Sequence, residues 1–332
     1  MRVGPEDQGG HAMPLNCVAR NLYWALIVLC LSAVPTASGF AAPQLGTPID
    51  VPGMKGKVVV NDRGAAKIHT YASSPGASTT HVIETNDGLV VIDAQMTVPD
   101  AREAIAYVRS LNKPIRRLIV SHGHPDHWLG LGEWGDVPSA SIAEVKDYVN
   151  GTQGAHLYQG FKEGIPPYRA LGPQLSEKQG KIISVLPARE KLIGLDFVYE
   201  KVADGEADVQ LLVKVPELKT LIVQDLVYNN MHHFIGQNRL AADALPAFDG
   251  WIAAMRKMKS ENPGIELILV GHGVPTGPAA IDETIAYLTK AKGIFAAAKD
   301  RADLRQAMEA AFPGLDGIRY IDISSGYLYL RK

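Results

Sequence analysis

The sequence has almost no cysteine, no surplus of charge of either sign and no apolar run that spans a bilayer comfortably. Of its 332 residues only Cys17 and Cys30 are cysteine, and both fall within the first forty positions. A mature chain without that segment has no thiol, which excludes disulfide support, a cysteine nucleophile and thiolate metal ligation. Any metal must then be held by nitrogen and oxygen. Lys and Arg total 33 against 35 Asp and Glu, so nothing in the charge balance calls for nucleic acid or an acidic membrane as partner. The longest nearly continuous apolar run, Leu22 to Val34, is thirteen residues, short of the roughly 20 a membrane-spanning helix needs.

That run is preceded by Arg20 and followed by Pro35 and small residues, the pattern of an export signal. Residues 1–41 therefore read as a signal peptide, cut after Gly39 or Ala41, with Met13 as an alternative start; a retained anchor is the competing reading. Leu29, directly before Cys30, argues against lipidation. Residues 42–56 read as a Pro/Gly-rich linker and 57–332 as one large domain, since 46% apolar and 20% charged residues suffice for a core without staples. The expected location is the periplasm or the medium.

What the sequence does have is Ser121-His122-Gly123-His124-Pro125-Asp126-His127, three imidazoles and a carboxylate within six positions. Structural histidines usually occur singly, whereas metal sites need clustered imidazole and carboxylate. The stretch follows the apolar run Leu118-Ile119-Val120, which places it on a loop leaving a buried strand. In extended chain residues two apart point the same way, so His122 and His124 can share one ion while Asp126 and His127, past Pro125, face a second.

His122, His124, Asp126 and His127 match the H-x-H-x-D-H signature, and the chain thus resembles the metallo-β-lactamase superfamily. The resemblance implies an α/β fold, a four-layered αββα sandwich, with the metal site at one edge where loops of the two sheets meet.

The pattern along the chain suits that fold. β-type runs at Val58 to Val60, Lys67 to Tyr71, Thr80 to Ile83 and Leu89 to Ile92 predict antiparallel strands with a turn at Asn86-Asp87-Gly88. Asp93 either orients a metal-site histidine, as the resemblance suggests, or is a strand-end turn residue. His69 and His81 read as packing residues. Pro99 to Leu111 is an amphipathic helix, and Trp128 is either one wall of a cleft or an ordinary packed residue. Helices at Ala143 to Val149 and His156 to Lys162 precede a Gly/Pro-rich stretch that is a lid bearing Tyr158, Phe161 and Tyr168, or a solvated connector.

The second half reads as strands at Ile182 to Leu186, Phe197 to Val202, Val209 to Val215 and Leu221 to Val223, then a helix over Ala241 to Lys259 and a strand over Ile265 to Val270. Two helices over Ala279 to Ala311, broken near Gly293, and an edge strand over Ile318 to Leu328 complete it.

Most of the superfamily has a Gly-His pair before the Val209 strand, yet no histidine occurs from Gly160 to Met231. Glu206 stands there instead, with Asp208 as fallback. Together with Asp225 nineteen residues on, this resembles the alkylsulfatase branch, although the chain is much shorter than that branch. The strand-terminal Gly271-His272-Gly273 resembles the family's last ligand position. The expected metal ligands are therefore His122, His124, Asp126, His127, Glu206, Asp225 and His272, holding two Zn²⁺, with iron or manganese as alternatives. Tyr228, His232 and His233, with Asn229, are candidate substrate contacts or proton donors beside Asp126; surface histidines are the alternative.

The implied activity is an exported hydrolase that uses a metal-activated hydroxide on an ester, lactone, amide or sulfate ester. The alternatives are a non-haem iron oxidoreductase on the same fold and a β-lactamase. The expected partner is a small-molecule substrate, with neither nucleic acid nor membrane after signal cleavage; the sequence leaves the oligomeric state open.

Overall fold

Runs of β-branched and apolar residues bounded by Gly, Asn and Asp fold as strands, and those with a helical apolar stripe fold as helices packed against them. The computed structural model describes residues 43–74, 77–164, 171–236 and 248–329. The chain divides into two units, Met1–Ala37 and Ser38–Lys332, and every described residue belongs to the second. The expected signal peptide with its two cysteines, Tyr168, and the start of the helix expected from Ala241 lie outside the described residues.

The first half contains β1 (Thr47–Ile49), β2 (Lys57–Asp62), β3 (Lys67–Ala72), β4 (Thr79–Thr85), β5 (Gly88–Ile92), α1 (Val98–Ser110), β6 (Ile115–Ile119), α2 (Pro125–Trp128), β7 (Ser139–Ser141), α3 (Ala143–Asn150), α4 (Thr152–Glu163) and β8 (Ser184–Val185). These eight strands form one sheet in chain order, antiparallel from β1 to β5 and parallel from β5 to β8. The second half contains β9 (Arg189–Leu192), β10 (Leu195–Ala203), β11 (Val209–Val215), β12 (Thr220–Tyr228), α5 (Phe248–Glu261), β13 (Leu267–His272), α6 (Ala279–Ala297), α7 (Arg301–Ala311) and α8 (Arg319–Leu328). Its sheet runs β13-β12-β11-β10-β9, parallel only between β12 and β13.

The alternation of side chains along a strand shows how the layers stack. On β13, Leu267 and Leu269 join the core shared with the first sheet, α1, α3 and α4, whereas Ile268 and Val270 face a second core with α5 to α8. On β12, Ile222 and its neighbours Leu221 and Val223 divide the same way. The result is the expected αββα sandwich.

Four expectations are corrected. The segment 318–328 is helix α8 and not an edge strand: its buried residues Tyr320, Ile321, Ser324, Ser325 and Leu328 repeat with helical period. Helix α6 continues through Gly293, where an added Cβ would meet only open space. The strand expected over Ile182 to Leu186 is only Ser184 and Val185 long, flanked by backbone hydrogen bonds from Ile183 N–H to Ser139 O and from Leu186 N–H to Ser141 O. Residues 42–56 are more than a linker, since Thr47–Ile49 pairs with β2 and Leu45 N–H donates to Pro275 O at 2.7 Å.

Candidate metal centre

Strand β6 ends at Ile119, and the chain then turns across the mouth of the sandwich, where His122 bridges to Gln210 of β11. His122 and His124 lie on this turn, and Asp126 and His127 lie on α2, which Pro125 starts. Glu206 comes from the loop between β10 and β11, Asp225 from β12 and His272 from the end of β13. A register shift around Gln224, whose φ is +44°, bends β12 beside Asp225.

These seven side chains converge in two groups: His122, His124, Glu206 and Asp225, and Asp126, His127 and His272. In the first, His124 Nδ1 is 3.0 Å from Glu206 Oε2, and His122 Nε2 is 3.8 Å from both Glu206 Oε2 and Asp225 Oδ2. In the second, His272 Nε2 is 3.4 Å from Asp126 Oδ2, and His127 Nε2 is 3.7 Å from it. Asp225 faces both groups, with Oδ1 3.2 Å from His127 Nε2 and Oδ2 3.2 Å from His272 Nε2. Asp208 is exposed and belongs to neither group.

The remaining polar atoms orient the ligands. Asp93, held at φ +65°, accepts from His127 Nδ1–H at 2.7 Å, from Ser121 N–H at 2.7 Å, from Ser121 Oγ–H at 2.7 Å and from Gln224. Ser121 Oγ in turn lies 2.9 Å from His122 Nδ1, so this one carboxylate steadies a histidine of each group. Gln210 donates to Glu206 at 3.0 Å, and the Tyr228 hydroxyl donates to Asp225 at 2.9 Å.

The electrostatics call for a cation. Burial opposes charge on His127, yet the carboxylates of Asp225, Asp126 and Asp93 outweigh it and hold His127 well above the ordinary imidazole range. Burial likewise opposes charge on Asp225, and His127 and His272 overcome it and keep the carboxyl well below its usual range. Burial pushes Glu206 up to about 7 despite His124 beside it. Among the described residues, His122 Nε2, His127 Nε2 and Asp225 Oδ1 are buried without a hydrogen-bond partner. His127 Nε2 and Asp225 Oδ1 face each other at 3.2 Å without a hydrogen bond. Three ligand-type atoms so placed in one carboxylate-rich cluster fit divalent metal ions, because such atoms are costly to bury otherwise.

Above the cluster lies a cavity of about 560 Å³ whose lining includes His124, Asp126, Glu206, Asp225, Tyr228 and His272. Its walls carry Met96, Leu157, Phe161, Leu171, Phe234, Ile323 and Tyr327, and among the described residues that line it Arg319 alone is Lys or Arg.

A family model described as "Metallo-beta-lactamase superfamily" matches residues 73–272. The chain belongs to the metallo-β-lactamase superfamily. Within curated relatives, it is 23% identical to an alkyl/aryl-sulfatase of Saccharomyces cerevisiae over 61% of this chain and 36% of that protein. It is 31% identical to a linear primary-alkylsulfatase of a Pseudomonas species over 21% of this chain and 14% of that protein. The matched regions thus span little more than a third of one relative and about a seventh of the other. Among solved structures, a metallo-β-lactamase from Pontibacter korlensis aligns with TM-score 0.52 at 16% identity, covering 70% of this chain and 99% of that one. A metallo-β-lactamase from Erythrobacter litoralis aligns with TM-score 0.50 at 17% identity, covering 74% and 100%. At these identities the likeness is one of fold.

Two of the expected substrate contacts, the histidine pair and Asn229, are not where the sequence suggests. His232 and His233 do not line the cavity: they lie one layer behind Tyr228, packed against Tyr287 of α6. The His233 ring is stacked between Tyr228 at 4.8 Å and Tyr287 at 4.1 Å, and His232 Nδ1 is 3.2 Å from the Tyr287 hydroxyl. Burial pushes their pKa values down, to about 4 for His232 and about 3 for His233, as expected of neutral packed imidazoles. Of the two readings of Trp128 the packed one holds, since it is fully buried and donates to Gly123 O at 3.0 Å. Asn229 turns its side chain to Val274 O. Sequence reasoning missed Arg319 and Tyr320, because the segment carrying them reads as an edge strand.

Proposed function

We propose that this chain is a metal-dependent hydrolase of ester-type bonds, with a sulfate ester of an apolar alcohol as the first substrate class to test. The observation that carries the reading is the set of seven nitrogen and oxygen ligand side chains at the foot of a single apolar-walled cavity. His122, His124 and Glu206 would hold one ion, Asp126, His127 and His272 the other, and Asp225 would lie against both. Two bound Zn²⁺ ions would supply Lewis acidity and an activated water at neutral pH.

The chain's own groups supply the rest. Asp93 fixes His127 directly and His122 through Ser121, and the Tyr228 hydroxyl pins Asp225. A sulfate monoester is a monoanion, and Arg319 in the cavity can offset its charge while the apolar walls bury the alcohol chain. Glu206 in place of a neutral imidazole adds negative charge beside the first ion, which lowers its Lewis acidity and suits a substrate with a good leaving group. The two sulfatase relatives support the same class.

Acid release at constant pH by the zinc-loaded protein, across alkyl sulfates, carboxylic esters, lactones and β-lactams, tests the reading. Turnover that a chelator abolishes and that Glu206→Ala lowers is the expected result. Inertness toward all four classes with metal bound would overturn it. The carboxylate-rich ligand set also suits iron, and paramagnetic resonance of the isolated protein separates an iron centre from a zinc one. Export is part of the proposal: the N-terminus of the mature protein should fall near residue 40, in the periplasm or medium.

A further inference from the structure

The loop after β12 and the segment before α8 are tied together by backbone. Asp316 N–H donates to Asn230 O at 3.0 Å, His232 N–H donates to Asp316 O at 2.9 Å, and Ile235 N–H donates to Ser324 Oγ at 2.9 Å. Gly317 adopts φ +73°, and an added Cβ there would lie 2.6 Å from Met231 Cε. The first turn of α8 is therefore placed by contacts that do not involve the metal ligands. That turn brings the Tyr320 hydroxyl to 2.9 Å from His272 Nδ1.

His272 is confined on two sides. Tyr228 stacks on it at 4.7 Å with an interplanar angle of 18°, and Tyr320 meets it edge-on at 4.9 Å and 61°. Its Nε2 faces Asp126 and Asp225. A neutral imidazole that offers the Nε2 lone pair to a metal carries its proton on Nδ1, and that N–H then donates to the Tyr320 oxygen. His127 has the Asp93 carboxylate in this role, and His122 has Ser121. His272 has only a neutral phenol from the last helix.

We infer that Tyr320 is the positioning residue of the second metal group, fixing the tautomer and aim of His272, so that α8 sets the affinity of that group separately from the first. The inference rests on the metal-centre reading above. It predicts that the two metal-binding steps respond differently to loss of one oxygen atom on α8.

The test is calorimetric titration of metal-free protein with Zn²⁺, comparing wild type with Tyr320→Phe. The expected result is a second binding step weakened about 10–100-fold with the first unchanged. A wild type that binds no Zn²⁺ would remove the metal-centre reading itself. A wild type that binds two ions together with an unaltered Tyr320→Phe would overturn only the present inference. Equal weakening of both steps would also overturn it, by making Tyr320 a general packing residue; melting of the metal-free proteins reads that loss directly. Site-specific 3-fluorotyrosine at position 320 adds a probe that keeps the side chain's shape. A poorer acceptor should weaken the second step, and strengthening instead would mean that the phenol donates to Nδ1, contrary to the assignment.

Discussion

A methyl group on Gly271 would lie 1.7 Å from Oδ1 of Asp225. The carboxylate that faces both metal groups occupies the space a side chain at position 271 would need, so the glycine before His272 is a steric requirement of the site. Contacts below 3 Å are not accommodated without movement, and the freest mover here is the Asp225 side chain, since β13 is buried on both faces.

Gly271→Ala should therefore displace Asp225 and weaken both metal steps by about 10–100-fold, the range seen when ligand orientation is disturbed. Elemental analysis after dialysis against a mild chelator measures this. Wild-type metal content in the variant would mean that Asp225 is not shared.

Asp93→Asn keeps the volume but replaces one acceptor oxygen by a donor. Four donors converge on Asp93 from Ser121, His127 and Gln224, so one must lose its partner. Breaking a buried charged network typically costs about 3–5 kcal/mol, which a lowered urea midpoint would register. Both metal groups should lose affinity together, in contrast to Tyr320→Phe.

Arg319→Leu should raise KM for an anionic ester with little change in kcat. A charge-assisted hydrogen bond is worth about 1.5–3 kcal/mol, or about 10–100-fold in KM. Initial-rate kinetics on an alkyl sulfate and on a neutral ester of the same alcohol check it. An equal change for both substrates would place Arg319 in packing and not in recognition of charge.

Acid should destabilise the fold through His81. Its ring lies buried in β4, with Nδ1 2.9 Å from Thr70 Oγ1 and Nε2 3.0 Å from Val270 O, and burial pushes its pKa down to about 4. Unfolded histidine titrates near 6.5, so between those values the unfolded chain binds more protons. Its contribution is complete above about pH 6.5 and is lost as pH falls toward 4, by up to about 1.4 kcal/mol per pH unit. Urea unfolding at pH 7, 6 and 5 measures the slope, and His81→Gln should flatten it.

The parts of this protein legible in its sequence are those whose cause is local. The strands β2 to β5 carry dense β-branched runs, and the histidine motif needs no distant partner to be recognised. Glu206 is legible because a histidine is missing where the superfamily has one. What was hidden depends on pairs far apart. Tyr320 is 48 residues from His272, and α8 conceals its period because two of its buried positions are Ser324 and Ser325, whose hydroxyls bond to backbone within the helix. His232 and His233 look available on a loop, and only the stacking of Tyr228 and Tyr287 around His233 removes it from the cleft.

The Tyr320–His272 contact also imposes an order on biosynthesis. Asp93 and the four candidate ligands between His122 and His127 leave the ribosome first, Glu206, Asp225 and His272 follow, and Tyr320 comes after them. At about 5–20 residues per second, roughly 10–40 s separate the first histidine from the phenol that steadies the last. During that interval the nascent chain has its first histidines but not yet the residues that complete their site. A chain kept unfolded until helix α8 is available would meet its metal only in the compartment where it folds, and that compartment, more than ligand chemistry alone, would decide which ion it carries.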